Sequence, residues 1–157
     1  MSVPKIVPVV CLYCLLAPEM LHRPAVADET DYFREQVEPL LKRVAAEKLV
    51  LLSSGGSDWI SGSGRAERVE GGYRINARKI FTSGAPAGDL LMTGAVLEEE
   101  GAEPTVLHFG IPMLSPHVRI DPVWKTLGMR ATGSHDVIID GHVVPEAAVA
   151  LKRKAGE

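Results

Sequence analysis

The sequence predicts a mainly β domain: an antiparallel barrel or sandwich of about seven or eight strands behind a short helical lead-in. Three observations carry this reading. Gly (15) and Pro (11) are plentiful among 157 residues while only 5% are aromatic, which suits short strands and tight turns better than a helical bundle. Apolar runs and period-two segments recur between Gly and Pro turns from Leu49 onward. A helical period is confined to one stretch ahead of them. With 46% hydrophobic and 24% charged residues, the chain has room for one ordinary core. Its 17 Lys plus Arg against 20 Asp plus Glu, a net charge of −3, argue against a surface built to neutralise nucleic-acid phosphates.

Residues 1–28 hold four prolines and no sustained period, and read as an irregular leader. Lys5, the apolar run 6–16 and Ala25-Val26-Ala27 loosely resemble a secretory signal, but Glu19, His22 and Arg23 interrupt it. The run is too short to span a membrane, and the expectation is a cytoplasmic protein without a membrane partner. Cys11 and Cys14 lack the second ligand pair that a zinc site needs and read as apolar filler. Residues 29–47 form the helical lead-in. Phe33, Val37, Leu40, Leu41 and Val44 fall three or four apart, and Thr30 or Asp31 is available as N-cap. Pro39 makes this either two short helices or one kinked helix.

Residues 48–150 form the β-domain. Residues 49–52 are a continuous apolar strand. Residues 65–69 and 73–80 flank Glu70-Gly71-Gly72 as a hairpin, and Tyr73, Ile75 and Ala77 alternate with Arg74, Asn76 and Arg78 to give one buried face. Residues 90–96, 105–111, 117–121, 136–139 and 142–144 complete the strand set. Residues 147–154 read as the start of a helix, running into a tail over 151–157.

The densest run of Gly and hydroxyl residues, Ser53 to Gly64, directly follows a strand. Its backbone N–H groups and hydroxyls suit either an anion cradle or a plain flexible loop. It is neither a P-loop nor a Gly-x-Gly-x-x-Gly turn opening a helix. His108, His117, His135 and His142 have no Cys or carboxylate at ligand spacing, so no metal site is expected. Ser134-His135-Asp136 has the residue types of a hydrolase triad, yet neighbours on a strand face opposite ways.

Gly56-Ser57-Asp58, the segment 71–84 ending Lys79-Ile80-Phe81-Thr82-Ser83-Gly84, and Leu127-Gly128-Met129-Arg130-Ala131-Thr132 with Val143-Val144-Pro145 resemble the middle β-barrel domain of the acyl-CoA dehydrogenase family. Order and spacing agree over residues 40–150. Trp59 and Ser134-His135-Asp136 are closer to the branch with flavin-dependent monooxygenases of the desulfurisation type.

The resemblance implies an FAD site. The end of the first strand and the following loop would run along the flavin and its pyrophosphate, which points to Leu52, Ser53, Gly56 and Ser57. Phe81 would pack on the flavin ring, with Thr82 or Ser83 donating a hydroxyl to its N5 edge. Without the resemblance, Phe81 is a core residue and Thr82 to Pro86 a turn. Two departures stand out. The family's loop reads Thr-Glu-Pro-Gly-Ala-Gly-Ser-Asp where this chain has Leu51 to Asp58, so its flavin-bonding Thr is missing unless Ser53 replaces it. The turn after Lys79 is also one residue shorter than the common form.

The implied reaction is oxidation of the CH–CH group of an acyl-CoA thioester, or flavin-dependent monooxygenation. The alternative is a non-catalytic binding module of the same descent. The family's C-terminal helical domain, which holds the catalytic base, has no match here, so no catalytic residue is assigned. The expectation is that this chain alone binds FAD weakly, turns over no acyl-CoA, and forms a homo-oligomer or meets a partner supplying the helical domain.

Overall fold

The computed structural model describes residues 33–156. The leader at 1–28, both cysteines and the proposed N-caps lie outside them. The chain divides into two units, Met1–Pro39 and Leu40–Glu157. In the first, Phe33–Val37 form a π-helical turn. Helix α1, Glu38–Glu47, spans the division and buries none of its residues. Pro39 is its second residue, directly after the π-helical turn.

The second unit contains eight strands: β1 (Leu51–Ser53), β2 (Arg65–Val69), β3 (Gly72–Thr82), β4 (Leu90–Leu97), β5 (Thr105–Pro112), β6 (Val118–Asp121), β7 (His135–Pro145) and β8 (Val149–Lys154). They form one sheet in the order β6-β7-β3-β2-β4-β5-β8, with β1 paired to β4. This corrects the expectation of an antiparallel barrel in two respects. The sheet has two ends, β6 and β8, and does not close. The pairings of β1 and of β2 with β4 are parallel.

The parallel pairings have a local cause. Leu51–Ser53 lie beside Leu90–Met92, and Arg65–Ala66 beside Val96–Leu97. β1 and β2 therefore run in the same direction along one side of β4. The Gly/Ser-rich chain between them leaves the sheet and folds as a short helix α2, Gly56–Ser61, where the sequence suggested an irregular loop. β4 is left without a strand partner on that side between Met92 and Val96.

Two further differences follow from turn chemistry. The segments 136–139 and 142–144 are one strand, β7, because Gly141 adopts φ +69° and absorbs a bulge opposite Ile75 and Asn76. Its N–H is taken by the Asn76 side chain at 2.9 Å. Residues 149–154 are strand β8 rather than a helix, since Val149 to Leu151 find the open side of β5 to pair with. The β2–β3 hairpin forms as expected, with Val69 opposite Gly72.

The core draws on β3, β4, β5 and β7 together. Tyr73 and Ile75 of β3, Leu91 and Ala95 of β4, Leu107, Phe109 and Ile111 of β5, and Val137, Ile139 and Val144 of β7 belong to one buried cluster. Tyr73 and Phe109 are fully enclosed, and burial of side chains of this size stabilises by about 2 to 3 kcal/mol each. No helix among the described residues is long and apolar enough to cross a membrane.

Candidate functional site

The period-two rule on β3 places Tyr73, Ile75 and Ala77 inward, and Lys79 falls next on that face. Its side chain is accordingly buried, with 1% of the residue exposed. A buried ammonium requires partners. Lys79 Nζ donates to Asp58 Oδ1 at 2.9 Å and Oδ2 at 3.1 Å, to Ser63 Oγ at 3.0 Å, and to the Ser63 and Gly94 carbonyls. Gly94 lies in the stretch of β4 that lacks a strand partner on the side of β1 and β2, and the ammonium satisfies its carbonyl.

Asp58, on α2, is buried as well, with 6% exposed. The Ser54 and Ser63 hydroxyls donate to its carboxylate, as does Thr93 Oγ1 of β4 at 2.8 Å. Burial pushes the Asp58 carboxyl up, but the Ser54 and Ser63 hydrogen bonds and the Lys79 charge outweigh it and hold the group below its ordinary value. Burial also lowers Lys79, with Asp58 opposing.

Above this pair lies a hollow of about 380 Å³ lined by residues of the α2 segment, Ser54 to Ser63, and of β3, Arg78 to Phe81. Its rim is open to solvent, since Ser57 and Phe81 are both exposed. Phe81 is 58% exposed and holds φ +54°, a left-handed backbone that costs a residue with a Cβ about 1 kcal/mol. The edge of its ring meets Trp124 at 5.9 Å between centroids. Next to it, Ser83 Oγ shares a hydrogen bond with Ser134 Oγ at 2.9 Å, and Gly84 N–H donates to Thr132 O at 2.8 Å. The segment 127–134 is thereby docked beside the Phe81 turn. Arg78 reaches the buried Asp136 at 2.6 Å, which occupies the acid of the Ser134-His135-Asp136 run.

The residues singled out by the sequence divide into three groups. Ser57 and Phe81 both line the hollow. Ser53, Gly56 and Ser83 lie at the surface near it but do not line it, and Ser53 Oγ is engaged with Trp59 Nε1 at 2.7 Å and with the Ser54 carbonyl. Leu52 and Thr82 point into the core, where Thr82 Oγ1 bonds the Lys79 carbonyl at 3.3 Å. The sequence reading did not single out Asp58, Lys79 or Arg78 as site residues. The parity of β3 was the available signal for Lys79.

His108 is buried on β5, stacked on Trp59 at 5.0 Å, and accepts from Arg153 Nε at 3.0 Å. Burial, and then the Arg153 charge, lower its pKa. This links β8, β5 and α2, since Arg153 also donates to the Ile60 carbonyl at 2.7 Å.

Fold and site together define an open β-domain that offers a hydroxyl- and aromatic-lined hollow at the junction of a short helix and a long strand. Residues 53–142 match the model of the middle domain of acyl-CoA dehydrogenases, and the chain belongs to that family. It is 33% identical over 114 residues to a pigment production hydroxylase of Rhodococcus sp., a match covering 73% of this chain and 27% of that one. It is 32% identical over 82 residues to the flavin-dependent monooxygenase oxygenase subunit HsaA of Rhodococcus jostii, covering 52% and 21%. The structure of XiaF from Streptomyces sp. in complex with FADH2 and glycerol superposes with a TM-score of 0.59 at 26% identity, covering 80% of this chain and 30% of that one. The chain thus spans under a third of the length of each of these relatives.

Proposed function

We propose that this chain is the FAD-binding β-domain of a flavin-dependent oxidoreductase, and that the reaction of the whole protein is a flavin-dependent monooxygenation. The observation that carries the reading is that Ser57 and the exposed Phe81 line one hollow, within the residues that match the family. The hydroxylase, the monooxygenase subunit and the FADH2 complex among the relatives support it. A second reading, oxidation of an acyl-CoA thioester, is supported by the family description.

The residues present fit such a cofactor. A planar ring needs an exposed apolar face, which Phe81 offers. A pyrophosphate needs hydroxyl donors, positive charge and close backbone approach. Ser57 and Ser61 supply hydroxyls, the Arg78 guanidinium borders the hollow while paired with Asp136, and apart from the local chain nothing lies within 4 Å of where a Cβ on Gly55 or Gly56 would stand. Of the two hydroxyls considered for the N5 edge, Ser83 is exposed and Thr82 is enclosed, so we assign Ser83 that role. Leu52 then backs the site from the core. A bound flavin would accept a hydride and, once reduced, react with oxygen; the protein's part is to orient it and tune it.

Titration of the chain with FAD, followed by flavin fluorescence, tests the reading. Saturable binding that weakens several-fold in Ser57→Ala and Phe81→Ala is expected, by analogy with lost pocket contacts. Equal binding by all three proteins, or none by any, would overturn the site and leave a non-catalytic module. Bleaching of the loaded flavin by an acyl-CoA under anaerobic conditions would favour dehydrogenation over monooxygenation.

A further inference from the structure

We propose that the buried Lys79–Asp58 pair is a positioning device that presets the distance between Ser57 on α2 and the Phe81 turn before any ligand arrives. The proposal rests on the flavin reading above and adds two residues to it that act through others.

Each wall of the hollow hangs on one member of the pair. Asp58 directly follows Ser57, and Lys79 precedes Phe81 by two positions on β3. The pair sits where β4 lacks a strand neighbour, so backbone pairing does not fix α2 against the sheet there. Side chains do this instead. Lys79 grips α2 through Asp58, the α2–β2 connection through Ser63, and β4 through the Gly94 carbonyl. Asp58 is gripped in turn from the end of β1 by Ser54 and from β4 by Thr93. Five segments, β3, α2, the α2–β2 connection, β4 and the end of β1, therefore meet at one carboxylate and one ammonium.

Net stability is a poor account of this arrangement. A buried ion pair is commonly no more stabilising than apolar residues of the same volume, because desolvation offsets the attraction. What apolar filling cannot reproduce is directionality, since a hydrogen-bonded pair accepts one spacing and one approach.

The test uses the full chain with two variants. Asp58→Asn with Lys79→Met removes both charges without leaving one unpaired. Thr93→Val is the milder change, isosteric and remote from solvent. FAD is the probe, with affinity from fluorescence titration and ring environment from visible circular dichroism at saturation. The double variant should keep a urea midpoint near that of the wild type while its FAD dissociation constant rises by about tenfold, the lower end of what lost supporting contacts cost in other preorganised sites. Thr93→Val should move affinity and dichroism the same way by less.

Unchanged affinity and dichroism in both variants would overturn the proposal. If the double variant does not fold, Thr93→Val decides alone by the same criterion. If the wild type binds no FAD, the flavin reading fails, and the ligand-free amide resonances of Ser57, Phe81 and Ser83 in Thr93→Val judge the pair: displaced resonances support it, and unmoved ones overturn it.

Discussion

Asp58 carries a linkage between protonation and folding whose sign is fixed by its surroundings. Its carboxyl lies below the ordinary value in the folded chain, so the unfolded chain binds that proton more readily. The stabilisation is complete above the unfolded value of about 4 and is lost as pH falls through the lower, folded value. Asp58→Asn should therefore flatten the acid side of the stability curve below about pH 4, measured as urea midpoints on either side of that pH. An acid limb identical to that of the wild type would assign it to other carboxylates. Phe81 poses the opposite case, a residue whose backbone is unfavourable and whose ring is mostly outside. Phe81→Gly relieves the left-handed strain and opens no cavity, so stability should stay within about 1 kcal/mol of the wild type while FAD affinity falls. A loss of more than about 2 kcal/mol would show that the ring is a packing residue. Phe81 was singled out because it sits in a motif. Lys79 sits in the same motif, but a charged residue on a polar-looking strand end suggests solvent unless the inward parity from Tyr73 is followed through.

Strands were legible where side-chain alternation and turn residues agree, as along Arg65–Val69 and Gly72–Thr82. They were misjudged where one glycine decides. Gly141 resembles a turn between two strands, yet a single left-handed residue is also what a bulge inside one strand needs, and sequence alone does not separate these uses. Residues 149–154 have the apolar start and basic end of a helix C-terminus; only the vacancy beside β5 makes them a strand. Helix α2 was hidden for a related reason, since Ser and Gly are poor helix formers and Asp58 earns its place through Lys79. Gly72 marks the tightest approach in the β3–β7 ladder, where an added Cβ would stand 2.1 Å from the Val144 carbonyl oxygen. Because that neighbour is backbone and cannot swing aside, Gly72→Ala should destabilise by about 1 to 3 kcal/mol, read from urea denaturation. A neutral outcome would mean that the two strands separate there at little cost.

For the domain as a whole, the β class could be read in advance, because composition and period bear on it, whereas the strand count agrees only because splitting β7 in two offsets the missed β8. The open, partly parallel sheet could not, since strand order depends on which edges meet. β1 and β2 share β4 only because α2 takes up the intervening chain. An open sheet leaves backbone groups at its two ends, and β8 is one of them. Its last three residues are Lys152, Arg153 and Lys154, with Lys152 drawn to Glu146 and Lys154 to Glu103 at 2.6 Å. Basic residues along a terminal strand discourage the same strand of another molecule from adding to it in register, since desolvating matched charges is costly. The expectation is that these residues act as gatekeepers against edge-to-edge pairing. Replacing Lys152 and Lys154 by Val would remove two charges from the edge, along with the Lys152 hydrogen bond to the core Tyr73 hydroxyl, and leave Arg153 as its one basic residue. Light scattering at raised protein concentration should then increase with time in the variant and stay flat in the wild type; equal traces would place the protection elsewhere in the fold.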